Sequence, residues 1–124
     1  MVGGQSRGSH VLLDYRNYSS TEENDGRWML HLIRECVRES GIREVHSHVE
    51  IFDGGLSPPG FAAVVLIDES HVTAHCYSEI GLLAIDVFTC GDHDPDVVAE
   101  LIHERLISED ASIVLDKRQR VDRF

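Results

Sequence analysis

The sequence predicts an α+β fold, a two-layer sandwich in which a mainly antiparallel sheet is covered on one face by two helices. Three observations lead there. Met29, Leu32, Ile33, Cys36 and Val37 form one apolar stripe at helical spacing, and Val97, Val98, Leu101, Ile102 and Leu106 form a second. Between them lie consecutive stretches of strand character, giving the order β-α-β-β-β-α-β without an internal repeat or a linker.

His10-Val11-Leu12-Leu13-Asp14-Tyr15 is the first strand. Ser19, Ser20, Thr21, Glu22 and Glu23 supply helix-start chemistry, and the helix itself is expected to begin near Asp25, because Gly26 suits a helix interior poorly. Gly41 serves as its C-terminal cap. From Ile42 to Phe52 the pattern turns to alternation, with Val45, Val49 and Ile51 on one face of a half-buried strand. Residues 54–60 are rich in glycine and proline and form a loop. Residues 61–68 and 71–77 read as two strands meeting at Glu69-Ser70, with Gly81 after them and a further strand over 82–88. Asp94 followed by Pro95 is a strong helix start. Residues 112–116 are the last strand, with a basic tail beyond.

At 124 residues the chain is one domain, residues 1–124, large enough for a single core. Met1 to Gly8 reads as a loose polar tail without signal-peptide character, and no window is apolar enough to span a membrane. Cys36, Cys76 and Cys90 are an odd count without zinc-type spacing, which fits free thiols in the cytoplasm. The formal net charge of −11 disfavours nucleic acid and mildly favours a cationic small molecule.

The chemistry concentrates at Glu69-Ser70-His71. A serine at a sharp strand junction can attack the carbonyl before it, provided the peptide is strained and the oxyanion is stabilised. Loss of the serine α-proton from the resulting ester frees the Glu69 carboxylate, and hydrolysis leaves a pyruvoyl group on residue 70. His75 lies five residues on, so regular strand geometry places it on the opposite face unless a bend or bulge brings it round. His71 and His75 stand about 13 Å apart along a strand, too far to share one metal ion, so no metal is expected from His71, His75, Cys76 and Cys90.

Over most of its length, from His10-Val11-Leu12-Leu13-Asp14 to the region of Leu106, the chain resembles the prokaryotic S-adenosylmethionine decarboxylase family. The likeness is strongest in Glu69-Ser70-His71-Val72-Thr73-Ala74-His75 and in Ala84-Ile85-Asp86-Val87-Phe88-Thr89-Cys90-Gly91-Asp92. The resemblance implies self-cleavage between Glu69 and Ser70 into 1–69 and 70–124, with Ser70 becoming a pyruvoyl cofactor that holds substrate as a Schiff base. It further implies that His75 removes the α-proton during processing and that Cys90 is the general acid that protonates the substrate carbon. Glu79 takes the place of a carboxylate that holds ribose hydroxyls, and a homodimer with sites near the protomer interface is expected.

Several positions depart from that pattern. Ala62 stands where the family usually has a serine that assists processing. Leu56 replaces an aromatic that would face adenine, and Cys76-Tyr77-Ser78-Glu79 replaces Thr-Trp-Pro-Glu, although Tyr77 can still stack. The leading expectation is decarboxylation of S-adenosylmethionine to the aminopropyl donor of spermidine synthesis. Two alternatives remain open: a pyruvoyl-dependent ornithine or arginine decarboxylase, and an uncleaved, inactive homologue that acts as a regulatory subunit.

Overall fold

The computed structural model describes residues 7–124. Met1 to Ser6, most of the expected polar tail, lie outside the described residues, whereas Gly8 already belongs to a strand. The elements run β1 (Gly8–Arg16), α1 (Asp25–Ser40), β2 (Glu44–Phe52), β3 (Gly60–Ile67), β4 (Ser70–Tyr77), β5 (Leu82–Cys90), α2 (Pro95–Glu109) and β6 (Val114–Arg123), with a 3₁₀ turn at Ser78–Ile80. They form one antiparallel six-stranded sheet in the order β2-β3-β4-β5-β1-β6. Both helices pack on the same face, as the two-layer expectation requires.

Helix α1 starts where Asn24, rather than the earlier serines, caps it: its side chain accepts the Arg27 amide at 3.1 Å. Gly41 ends it in the left-handed conformation, φ 83°. Met29, Leu32, Ile33, Cys36 and Val37 are all buried against the sheet, and each large side chain stabilises the fold by about 1.5–3 kcal/mol through removal from water. Gly26 sits in the first turn because a Cβ there would run into Ile51 Cδ1 and the Phe61 side chain. Helix α2 begins as its sequence predicts, with Asp94 accepting the Asp96 amide at 3.0 Å and Pro95 in the first turn.

Three details differ from expectation. Val45 is 55% exposed because the β2–β3 register slips between Glu44 and His46, a bulge that turns it away from Val49 and Ile51. Val97 is half-exposed, and Ala99 takes its place in the buried face of α2. The basic tail is a strand: β6 runs to Arg123 along the β1 edge, where Arg118 pairs with Asp96 and Glu100, and Arg120 with Asp94 and Asp96. Acidic residues in the first turns of α2 thus supply counter-charges that a reading of β6 alone does not reveal.

Gly60 makes the sharpest local demand on sequence. A Cβ at this position would run into the Cys76 carbonyl oxygen across the β3–β4 ladder, and backbone cannot step aside as a side chain can. Gly60→Ala is expected to lower stability by about 3 kcal/mol, read as a reduced urea midpoint, and an unchanged midpoint would contradict that close approach.

Candidate active site

Strand parity decides what the sheet face away from the helices displays. Along β4, Val72, Ala74 and Cys76 are buried under the helices, while His71, Thr73, His75 and Tyr77 face the other way. The registers assemble these residues into rows across the uncovered face. One row reads His10-Phe88-His71-Leu66-His46, from β1, β5, β4, β3 and β2. The next reads Leu12-Asp86-Thr73-Val64-His48, and the one after it Asp14-Ala84-His75-Ala62-Glu50. Cys90 stands beyond Phe88, opposite Gly8.

The Glu69-Ser70 peptide lies at the tip of the β3–β4 hairpin, where Ile67 pairs with Ser70 across Asp68 and Glu69. Glu69 is held at φ 56°, a left-handed conformation that a residue with a Cβ adopts at a cost of roughly 1–3 kcal/mol. The tip is pinned from outside: the Asp68 amide donates to the Arg43 carbonyl at 3.0 Å, and the Arg43 guanidinium lies 3.6 Å from the Asp68 carboxylate. Ser70 is 7% exposed, and its Oγ accepts the Cys90 amide at 3.1 Å. That bond ties the start of β4 to the backbone at the end of β5, while the Cys90 side chain has the opposite parity, on the uncovered face.

His75 is not brought to them. Strand β4 runs from Ser70 to Tyr77 in unbroken register with β3 and β5, without the bulge that would turn His75 round. Five residues of strand put His75 about 16 Å from Ser70. Small residues flank it instead, Ala62 on one side and Ala84 on the other. A cleft of about 300 Å³ opens beside it, with Asp14, Tyr77, Leu82 and Asp116 among its walls. Glu79 is exposed in the 3₁₀ turn and Leu56 is fully exposed in the 53–59 loop. Ser78 joins the two segments, its amide donating to the Pro59 carbonyl at 3.0 Å. The residues given substrate-binding roles by resemblance therefore lie toward the His75 end of the sheet, and Ser70 with Cys90 at the other.

The thiols differ in kind. Burial pushes both Cys36 and Cys76 up to about 11, which leaves them protonated and unreactive near neutrality. Cys76 also faces the helices, away from His71 and His75. Cys90 is partly exposed on the uncovered face.

Sequence reading overlooked His10, Asp86 and Phe88 around Cys90. The His10 ring stands edge-on to His71 and Phe88, with centroids 6.3 and 6.0 Å away, and its Nε2 lies 3.8 Å from Asp86 Oδ1. Thr73 donates to the other Asp86 oxygen at 3.1 Å. The parity of the first strand was readable, but its pairing with β5 was not, and only that pairing puts His10 beside His71.

The strained hairpin tip sets a buried serine hydroxyl against the backbone at the end of a cysteine-bearing strand, and comparison with known proteins gives the family. The family profile described as S-adenosylmethionine decarboxylase matches residues 9–119. S-adenosylmethionine decarboxylase proenzyme 1 of Bacillus cereus is 37% identical over 102 residues, covering 80% of this chain and 74% of the relative. The proenzyme of Bacillus velezensis is 35% identical over 104 residues, covering 82% and 78%. The crystal structure of the adenosylmethionine decarboxylase from Aquifex aeolicus superposes with a TM-score of 0.70 at 26% identity, covering 96% of this chain and 92% of that one. The chain belongs to the S-adenosylmethionine decarboxylase family.

Proposed function

We propose that this chain decarboxylates S-adenosylmethionine, using a pyruvoyl group made from its own Ser70 after cleavage at Glu69-Ser70. The observation that carries this reading is the placement of the Ser70 hydroxyl, buried, bonded to the Cys90 amide and directly after the left-handed Glu69. Strain at Glu69 is relieved when its carbonyl moves from the amide nitrogen to Ser70 Oγ. His75 then takes the α-proton of residue 70, the Glu69 carboxylate leaves, and hydrolysis with loss of ammonia gives the ketone. The chain's residues fit that group: the end of β5 stands against residue 70, and Cys90 faces the open side. When present, the pyruvoyl group supplies an electron sink for the pair left on the substrate carbon as carbon dioxide departs. Cys90 protonates that carbon, and the product is the aminopropyl donor used to make spermidine.

A homodimer completes the site. The separation of about 16 Å between Ser70 and His75 along β4 supports a pairing in which a second copy contributes its His75, Tyr77 and Glu79. The surface for it is the uncovered sheet face, where Leu66, Leu82, Phe52, Tyr77 and Val121 are all large, apolar and more than a third exposed. Such a dimer would be a four-layer assembly, with helices outside and two sheets within. Among the described residues no helix is long and apolar enough to cross a membrane. The three free cysteines support action in the cytoplasm.

The test measures carbon dioxide release from S-adenosylmethionine, ornithine and arginine in parallel, beside the intact mass. Release from S-adenosylmethionine with two fragments supports the proposal. Release from a basic amino acid alone assigns the chain to that substrate class, consistent with an exposed Leu56 that offers no ring face. A single full-length species without release assigns it to the silent regulatory subunits. Ala62 stands directly opposite His75, so Ala62→Ser places a hydroxyl beside that imidazole. Ala62→Ser is expected to speed self-cleavage several-fold, up to about tenfold, followed as loss of the full-length band with time. An unchanged rate would remove position 62 from processing.

A further inference from the structure

Replacing a carboxylate by hydrogen consumes a proton. The carbon–carbon bond to carbon dioxide breaks, its electron pair stays on the substrate carbon, and a carbon–hydrogen bond forms with the Cys90 proton. Cys90 is left as a thiolate and must regain a proton from solvent before the next turnover. We propose that His71 returns that proton, with His10 and Asp86 as positioning residues that set its basicity. The inference rests on the general-acid reading of Cys90.

Register sets two imidazoles diagonal to Cys90, His71 across β4–β5 and His10 across β1–β5. His71 pairs with Phe88, and Cys90 lies two residues on along the same face of β5, so the two are diagonal neighbours across adjacent strands. Diagonal positions stand about 7–8 Å apart, within reach of an imidazole or of one bridging water. The opposite flank of Cys90 is closed: its β1 partner is Gly8, and a Cβ there would stand 3.0 Å from atoms of the Phe88 ring, which leans over that position. Access to the thiol from the strand side is thus left to β4, whose nearest titratable group is His71.

The surroundings of His71 suit a proton donor. Burial, and His10 after it, hold its pKa below the ordinary imidazole value, while Asp86 acts in the opposite sense. A weakly basic imidazolium gives its proton readily to a thiolate and recovers it from solvent, so charge balances at each step. Facing it are His10 from β1, Asp86 and Phe88 from β5 and the apolar Leu66 from β3, with the Arg123 guanidinium of β6 beyond, 5.9 Å from the Phe88 centroid. The His10 Nε2 is buried and makes no hydrogen bond. Its standing partner is the carboxylate of Asp86, itself fixed by Thr73.

The experiment uses processed full-length protein and S-adenosylmethionine. In His71→Gln, kcat is expected to fall by about 10- to 100-fold with KM within about twofold, and added imidazole should restore a large part of the rate. A kcat within twofold of the parent, or a fall that imidazole does not restore, overturns the proposal. Two further variants test it without touching the residue next to the cleavage point. His10→Gln removes a group that lowers the His71 pKa, so the alkaline limb of the kcat profile should move to higher pH. Asp86→Asn removes one that raises it, so the limb should move lower. Limbs that stay in place, or that move together, overturn the proposal even where His71→Gln fails to process. A parent enzyme that releases no carbon dioxide from S-adenosylmethionine would instead sink the functional reading, and is seen before any variant is made.

Discussion

Ser70→Ala is expected to remain one species of 13.9 kDa through prolonged incubation, with no carbon dioxide release, while the parent chain divides into 1–69 and 70–124. The substitution removes the attacking oxygen and the only source of the ketone, so both losses are complete. It also deletes the acceptor of the Cys90 amide, which costs about 1 kcal/mol because a donor is left unsatisfied at a partly buried strand end. The fold has ample core to absorb that, so the variant should purify as a folded protein with an unchanged circular dichroism spectrum. Intact mass spectrometry is the deciding measurement. Fragmentation of Ser70→Ala at the same bond would show that another group cuts the chain and would remove the serine ester from the mechanism.

Cys90→Ala separates processing from turnover. The bond that positions Ser70 comes from the backbone amide of residue 90, which alanine keeps. Self-cleavage should therefore proceed, with fragment masses shifted only by the substitution. Turnover should fall by roughly 10²–10⁴-fold, the usual range for removal of a positioned general acid, with KM little affected because the thiol acts on the substrate carbon after carbon dioxide has left. Steady-state carbon dioxide release by the processed variant measures it. Normal turnover would show that the proton comes from elsewhere, and a variant that stays whole would show that the thiol itself takes part in cleavage.

The helices were legible because burial on one side leaves a 3.6-residue rhythm that little else produces. Met29 to Val37 read correctly residue by residue, and Asp94-Pro95 marked the start of α2 without ambiguity. The strands of the central hairpin were legible as a short apolar run, Phe61 to Ile67, bounded by a glycine- and proline-rich loop, whereas the alternation that sends Phe61, Ala63, Val65 and Ile67 into the core shows only in the structure. Val45 was misread because a bulge adds one residue to the count, and nothing in the local composition announces it. The tail from Lys117 to Arg123 was missed as a strand because its helix-side positions, Arg118, Arg120 and Asp122, are charged. Those charges are satisfied by α2, an element about twenty residues away in sequence.

Legibility of the site followed the same division. Ser70 and Cys90 were named from local sequence and resemblance, and the structure brings their backbone and hydroxyl into contact. The setting of Cys90 depends on which strand lies beside β5, a long-range choice that periodicity does not encode. His75 shows the converse limit. Its parity was read correctly as opposite to Ser70, and no irregularity of β4 reverses it. Within one chain, regular strand geometry keeps His75 apart from Ser70.

The strand order has a consequence for the two pieces that the proposed scission would leave behind. β1, which stays with the upstream piece, is threaded between β5 and β6, both of which go with the downstream piece, and β3 remains laced to β4 along its whole length. Neither piece can peel off without dismantling the sheet and opening the core that both line. The proposed cut after residue 69 would therefore free a terminus for chemistry while leaving an interwoven body, expected to copurify as one particle.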